Sequence, residues 1–443
     1  MNVERAVDPL IVAVRLLAEH HATGVPPRDL VAAAPGLRDW SPARRAEFSQ
    51  AVYGALAMQR RIEFALATAP GWHGLTADAR AAAALLGWRV HAGTLDPAGA
   101  ASRFARFSTV ELPWAEIPAV EARIDTLSDA QQRLAVRHSL PDWAAAELVA
   151  RHGAEAEAVA RALGEAPPRT VRANLLRCKS REDLAARLAA VGVQTRPTRF
   201  SPHGLHVEGT MALTELGAFR EGWFEQQDEA SQLAALAVAP PPRGRVLDAC
   251  AGSGGKTLAL ASIMGNRGEI LAADVHAGRL ESLVERCRRS GVSTVRARHI
   301  GEESWGDEVE AFARKADRIL IDAPCSGMGA WRRRPEGRWL MRESSFASLE
   351  ATQAKLLRRS AAALQPGARL VYATCTLRRA ENEVQVEQLL AEDPTLELVR
   401  LVEVLGAAMA APISDPSGTF LVLRPDVHGT DGFFAAILRR KRA

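Results

Sequence analysis

The stretch Val246-Leu247-Asp248-Ala249-Cys250-Ala251-Gly252-Ser253-Gly254-Gly255-Lys256-Thr257 decides how the chain reads. A short apolar run ends in a turn of small residues, and an apolar helix-like stretch, Lys256–Met264, follows. That is a strand-to-helix turn whose backbone amides a ligand can approach closely, because glycines carry no Cβ. Further apolar runs follow at Ile270–Ala273, Val295–Arg298, Arg318–Ile321 and Arg369–Ala373, with helical stretches near Arg279–Ser290 and Phe346–Leu364 between them. The alternation predicts a doubly wound parallel sheet with right-handed crossovers. Two last runs, Thr419–Leu423 and Phe433–Leu438, predict a terminal antiparallel hairpin.

Ligands of such sheets bind past the carboxyl ends of the strands. Asp274 ends the second strand and is placed to accept hydrogen bonds from a ribose diol. A phosphate-gripping loop would need glycine where Cys250 stands, and a dinucleotide fingerprint would need glycine where Thr257 stands. S-adenosylmethionine carries no phosphate and needs only the small turn Cys250, Ala251, Gly252, Ser253, Gly254, Gly255, Lys256 together with the acid. It fits best.

Two cysteines then follow two predicted strands. Cys325 lies in Asp322-Ala323-Pro324-Cys325-Ser326-Gly327, and Cys375 lies between Thr374 and Thr376. A nucleotide-type cofactor site followed by two loop thiols suggests covalent chemistry on an electrophile. Cys178 and Cys287 read as small buried hydrophobes. Five cysteines, widely spaced and without a Cys-x-x-Cys pair, make neither a disulfide framework nor a zinc site, so no metal is expected. No run of about 18 apolar residues suggests a membrane span, and the start lacks the blocks of a signal peptide. A cytoplasmic protein with reduced thiols is expected, acting as a monomer.

With these motifs the chain resembles the RNA cytosine-5 methyltransferases of the Nol/Nop/Sun family, most closely the bacterial branch that modifies small-subunit ribosomal RNA. The usual turn of the family is Cys-Ala-Ala-Pro-Gly-Gly-Lys; Gly252-Ser253 replaces Ala-Pro here. The resemblance implies that Cys375, in a Thr-Cys-Ser-like motif, is the nucleophile toward cytosine C6, and that Cys325, in Pro-Cys-Ser, serves product release. Asp322 is placed to bond the base edge and to line the cofactor pocket. Gly429-Thr430-Asp431-Gly432-Phe433-Phe434 also matches the family. Ile300 falls where the family often has an acid for adenine, so either Glu302 or Glu303 substitutes through a shifted loop or that contact is missing.

The 443 residues suggest two or three domains. Residues 1–137 are rich in alanine and leucine at helical spacing and predict an all-α bundle, which by resemblance is the NusB-like RNA-binding domain. Residues 138–224 alternate short helices with β-like runs and predict a small α+β connector, RNA-recognition-like by resemblance. Residues 225–443 predict a Rossmann-like domain, which by resemblance is the class I methyltransferase domain. Net charge is only +4, from 56 Lys and Arg against 52 Asp and Glu, so RNA contact must rest on local clusters. The loop Trp331–Trp339 is one, and Arg332, Arg333, Arg334 and Arg338 are its candidates for phosphates, with Trp331 or Trp339 for stacking. A solvated basic face is the plainer reading of that run. A related enzyme acting on tRNA, a non-catalytic ribosome-assembly factor and a thiol-dependent dehydrogenase are the rival functions; the failed dinucleotide fingerprint disfavours the last.

Overall fold

A computed structural model describes residues 8–33, 37 and 40–441. The chain forms two compact units. One holds residues 1–165 together with Trp331–Glu343, the other Ala166–Ala330 with Ser344–Ala443.

The first unit is helical. Its helices Pro9–Thr23, Pro42–Leu66 and Ala77–His91 start at Asp8, Ser41 and Thr76, each of whose side chains accepts a backbone N–H of the first turn. Such caps satisfy amides that the helix itself leaves unpaired. Helices 42–66 and 77–91 approach closely because glycines stand at the crossing. A Cβ on Gly54 would lie 2.1 Å from the Trp88 indole nitrogen, and one on Gly87 would lie 2.4 Å from Ile62. The alanines Ala81, Ala82 and Ala83 are fully buried in the resulting core.

The second unit opens with a four-stranded antiparallel sheet of β1 (Thr170–Ala173), β2 (Thr195–Pro197), β3 (Gly204–Val207) and β4 (Phe224–Gln226), in the order β2-β3-β1-β4. The larger sheet contains β5 (Arg245–Asp248), β6 (Glu269–Asp274), β7 (Val295–His299), β8 (Arg318–Asp322), β9 (Arg369–Thr374), β10 (Leu396–Leu398), β11 (Phe420–Leu423) and β12 (Phe433–Arg440). Its order is β10-β12-β9-β8-β5-β6-β7, and the five strands from β7 to β9 run parallel. β12 is antiparallel to β9, and β10 and β11 lie end to end along its other edge. Strand β10 goes beyond the hairpin that the sequence predicts.

Helices cover both faces, so the inner strands are apolar throughout. Leu247, Leu271, Ile319, Ile321, Leu370, Tyr372 and Phe434 join one core; Val246, Ile270, Leu320, Val371, Ala373 and Phe433 join the other. Adjacent residues alternate between the faces, as the two-residue strand period demands.

The expected partition at residues 137/138 and 224/225 differs from the packing. Helices Asp142–His152 and Ala156–Gly164 belong to the helical unit, where Arg60 pairs with Asp142 at 2.6 Å. Strand β4 bonds to β1, so residues 225 and 226 belong to the smaller sheet. Residues Trp331–Glu343, expected within 225–443, pack in the helical unit. Each difference arises from contacts between segments far apart in the chain, which local periodicity does not record.

Candidate active site

The order of the large sheet reverses beside β5: its continuation β6 lies on one side, and β8 on the other. A crevice past the carboxyl ends is expected there. The turn Cys250–Gly254 leaves β5, and helix Gly255–Ile263 begins on Gly254, which adopts the left-handed conformation at φ 85°. A Cβ on Gly254 would lie 2.7 Å from Leu283, so both its conformation and its surroundings require glycine. Gly252 also has positive φ and open space where a Cβ would be, which leaves room on the ligand side.

Asp274, at the end of β6, is buried and braces this turn. Its Oδ2 accepts the Gly252 amide at 2.7 Å, and its Oδ1 accepts the His276 amide at 2.9 Å. Each carboxylate oxygen keeps a second lone pair for a hydroxyl. The Ser253 carbonyl accepts from Arg286 at 2.5 Å, and Arg286 and Arg289 both pair with the buried Glu225. Sequence reasoning missed this strut because its parts come from β4 and from helix Ala277–Ser290.

It also missed Asp248, fully buried beneath the turn. Asp248 Oδ2 accepts the Thr257 hydroxyl at 2.7 Å, while Oδ1 has no hydrogen-bond partner. Burial pushes its carboxyl up to about 7. Gln227 Oε1 is another buried acceptor without a partner, and its amide lies 3.7 Å from where a Gly255 Cβ would sit. Unmet acceptors around a small-residue turn suit a ligand that brings donors. Cys250 is half-buried beside them, and burial raises its thiol well above the ordinary range.

Lys256 Nζ binds Asp322 Oδ2 at 2.6 Å and lies 5.0 Å above the Phe433 ring. Asp322 is the last residue of β8, level with Ala373 of β9. The loops after these neighbouring strands therefore emerge side by side. Cys325 and Cys375, 50 residues apart in sequence, bring their sulfurs to 3.5 Å. Both thiols are half-buried. The hydrogen bond to Cys375, with burial second, holds the Cys325 thiol well above its usual range, so Cys325 keeps its proton at neutral pH. The site thus places an ion-paired carboxylate, an ammonium and two touching thiols on the loops past the same sheet end as the small-residue turn.

A family model described as 16S rRNA methyltransferase RsmB/F matches residues 235–439, and one described as the ferredoxin-like domain of the same proteins matches 140–214. The probable ribosomal RNA small subunit methyltransferase B of Synechocystis is 34% identical over 69% of this chain and 68% of its own. The corresponding Bacillus subtilis protein is 33% identical over 72% of this chain and 70% of its own. This chain belongs to the RsmB/F family of 16S rRNA methyltransferases. Among solved structures, a methyltransferase homolog protein from Pyrococcus horikoshii matches 71% of the chain and 100% of its own at 30% identity, with a TM-score of 0.60. PH0851 matches 98% of the chain and 99% of its own with a TM-score of 0.75; at 24% identity it speaks for the fold alone. The family is S-adenosylmethionine-dependent, and the small turn, Asp274 and the unmet acceptors fit that cofactor. Asp274→Ala is expected to weaken S-adenosylmethionine binding by about 1–3 kcal/mol, the scale of a hydrogen bond to a charged group. Titration calorimetry checks this, and unchanged affinity would remove Asp274 from the site.

The basic loop lies in the helical unit and divides in two. Arg334 is exposed and Arg332 and Arg333 are half-buried. Arg338 is not available to RNA: it is 1% exposed, and its guanidinium donates to the carbonyls of Ala57, Ser139 and Leu163 at 3.1–3.2 Å. Trp331 is equally buried, edge-on to Trp143, and Trp339 donates to the Leu56 carbonyl at 2.7 Å. The aromatic ends of the loop therefore anchor it. The sequence signal for this was present, since tryptophans flanking a short basic run suit an anchored loop as well as a stacking platform.

Near the expected adenine position, Ile300 is buried in the sheet core, and Glu303 pairs with Lys355. Among the described residues no helix is long and apolar enough to cross a membrane, and no cluster of three His, Cys, Asp or Glu could hold a metal.

Proposed function

We propose that this protein methylates C5 of one specific cytosine in 16S ribosomal RNA through a covalent bond between Cys375 and C6. The observation that carries this reading is the 3.5 Å approach of Cys325 and Cys375 beside the Lys256–Asp322 pair. C5 of cytosine is too weak a nucleophile to take a methyl group directly. Cys375, as thiolate, forms a bond to C6, and the C5=C6 electrons shift toward C5. S-adenosylmethionine, held by Cys250–Lys256 and Asp274, supplies an electrophilic methyl group that C5 takes while the sulfonium sulfur keeps the bonding pair. A water molecule takes the C5 proton, the C–H electron pair re-forms C5=C6, and Cys375 leaves as thiolate with the C6–S pair.

Cys325 serves this last step. As a neutral thiol it donates to Cys375 Sγ, which stabilises the departing thiolate. Asp322 accepts from the amino edge of the base, and Lys256, paired with Asp322 at 2.6 Å, supplies positive charge where the adduct becomes anionic. Ile300 offers adenine an apolar wall in place of an acid.

The helical unit fits a NusB-like RNA-binding role, with Arg332, Arg333 and Arg334 on phosphates, and the β1–β4 sheet fits an RNA-contacting connector. The base must leave its stack to reach the thiols. We take the active form to be a single chain in the cytoplasm. Bisulfite sequencing of rRNA and tRNA from a strain lacking the protein is expected to show loss of one 5-methylcytosine in 16S rRNA and none in tRNA. Loss from tRNA alone would overturn the rRNA assignment.

A further inference from the structure

Beneath the two thiols lies a carboxylate that the reaction scheme does not use. Glu381 is fully buried, at the end of the short helix Arg379–Glu381. Its Oε2 accepts the Ser326 amide at 2.8 Å and the Gln353 side-chain amide at 3.0 Å. Its Oε1 accepts the Ser326 hydroxyl at 2.5 Å, the Thr376 hydroxyl at 3.3 Å and the Arg378 guanidinium at 3.3 Å. The Ser326 and Thr376 hydroxyls lie 2.7 Å apart, and Gln353 also donates to the Pro324 carbonyl at 2.9 Å. From above, the Tyr372 hydroxyl donates to the Glu381 carbonyl at 2.6 Å. So the residue after each cysteine is tied to one carboxylate, and the backbone carbonyl of that glutamate is tied to β9.

Burying a carboxylate is costly unless donors surround it. Here five donors converge, more than a bland packing position needs. An apolar side chain would fill the same space, but it would not bind Ser326 and Thr376 in a fixed relative register.

We propose that Glu381 is a positioning residue that sets the separation and orientation of the Cys325 and Cys375 thiols, so that both meet one base. Its carboxylate oxygens bond Ser326 and Thr376, the residues that follow the two cysteines, and it positions the thiols through them. The proposal rests on the two-thiol reading of the reaction. A shift of about 1 Å in such a pair costs roughly 100-fold in rate.

The test reads thiol proximity independently of methylation. Diamide accepts two electrons and two protons from a pair of thiols, joins them as a disulfide and becomes the hydrazine. In the wild-type protein, Cys325 and Cys375 are expected to cross-link readily with diamide, read by mass spectrometry of the joined peptides. In Glu381→Gln, which keeps the shape but must turn an amide donor toward existing donors, the cross-linking rate is expected to fall roughly tenfold or more. The kcat is expected to fall about 10- to 100-fold, with the KM for S-adenosylmethionine unchanged. Wild-type cross-linking and kcat in Glu381→Gln would overturn the proposal, as would a loss matched by equal loss of cofactor affinity and thermal stability. If that variant does not fold, Thr376→Ser and Thr376→Val decide: the first should keep both readouts and the second should lose them, and a wild-type Thr376→Val would overturn the idea. Reduced cross-linking in Glu381→Gln alongside a wild-type protein that makes no 5-methylcytosine would uphold the clamp and sink the reaction assigned to it.

Discussion

Cys375→Ala is expected to bind RNA and S-adenosylmethionine and yet form neither product nor covalent adduct, with kcat lowered by at least about 10⁴-fold, the scale seen when a covalent nucleophile is removed. Cys325→Ala is expected to behave differently. It keeps the nucleophile and transfers the methyl group, but it lacks the thiol that lies 3.5 Å from Cys375 Sγ. Release slows, and a protein–RNA complex that survives denaturing electrophoresis accumulates. The asymmetry arises because addition needs a thiolate, whereas elimination needs that thiolate stabilised as a leaving group. The elevated Cys325 thiol, which stays protonated at neutral pH, assigns it the donor's part. If Cys375→Ala trapped RNA and Cys325→Ala did not, the two roles would be exchanged. Full methylation by both variants would remove covalent catalysis from the account.

The second large effect is expected at Arg338. Arg338→Ala strips donors from the carbonyls of Ala57, Ser139 and Leu163, all inside the helical unit. A buried acceptor left unmet costs about 1–3 kcal/mol, so a total near 3–5 kcal/mol is expected. Denaturant unfolding of the full chain should show the helical unit melting first. The triple change of Arg332, Arg333 and Arg334 to alanine should leave that melting unaltered while lowering the salt slope of RNA binding by roughly two to three. On these expectations, four arginines within seven residues divide between a fold-holding role and a ligand-holding one. An Arg338→Ala protein as stable as the wild type would refute the anchoring reading, and an unaltered salt slope in the triple variant would make the other three a solvated face.

Much of the catalytic half is legible along the chain, because its signals are local. An apolar run closed by Gly252-Ser253-Gly254-Gly255 has few conformations other than a strand entering a helix through a left-handed turn. Cys325 and Cys375 stand out because each follows an apolar run directly, and parallel strands deliver such residues to one end of the sheet. The terminal pairing of β11 with β12 follows from two short apolar runs separated by a connection that holds the short helix Pro425–His428. β10 is less legible, since Leu396–Leu398 is too short to show a period.

The residues that escape sequence reasoning share one property: their meaning depends on a partner far away in the chain. Glu381 reads as one acid in the run Arg378–Glu383, and only the juxtaposition of the β8 and β9 loops turns it into a buried acceptor for Ser326 and Thr376. Glu225 and Arg286 look like ordinary surface charges until β4 and helix Ala277–Ser290 meet behind Ser253. Arg338 sits in a basic run and reads as surface for the same reason; its burial was decided by helices near residues 57, 139 and 163. The helical unit likewise extends to Glu165 because Arg60 reaches Asp142.

By itself, then, the sequence determined the doubly wound sheet, the glycine turn, the acid at the end of β6 and the two loop thiols, since each rests on the conformational limits of neighbouring residues. The tertiary structure alone decided that the thiols lie 3.5 Å apart, that Lys256 pairs with Asp322, that one buried carboxylate ties both thiol loops together, and that Arg338 is an internal strut. Distance between side chains and access to water are properties of the packed chain. A hydrogen bond or a buried charge takes its worth from what the fold brings against it.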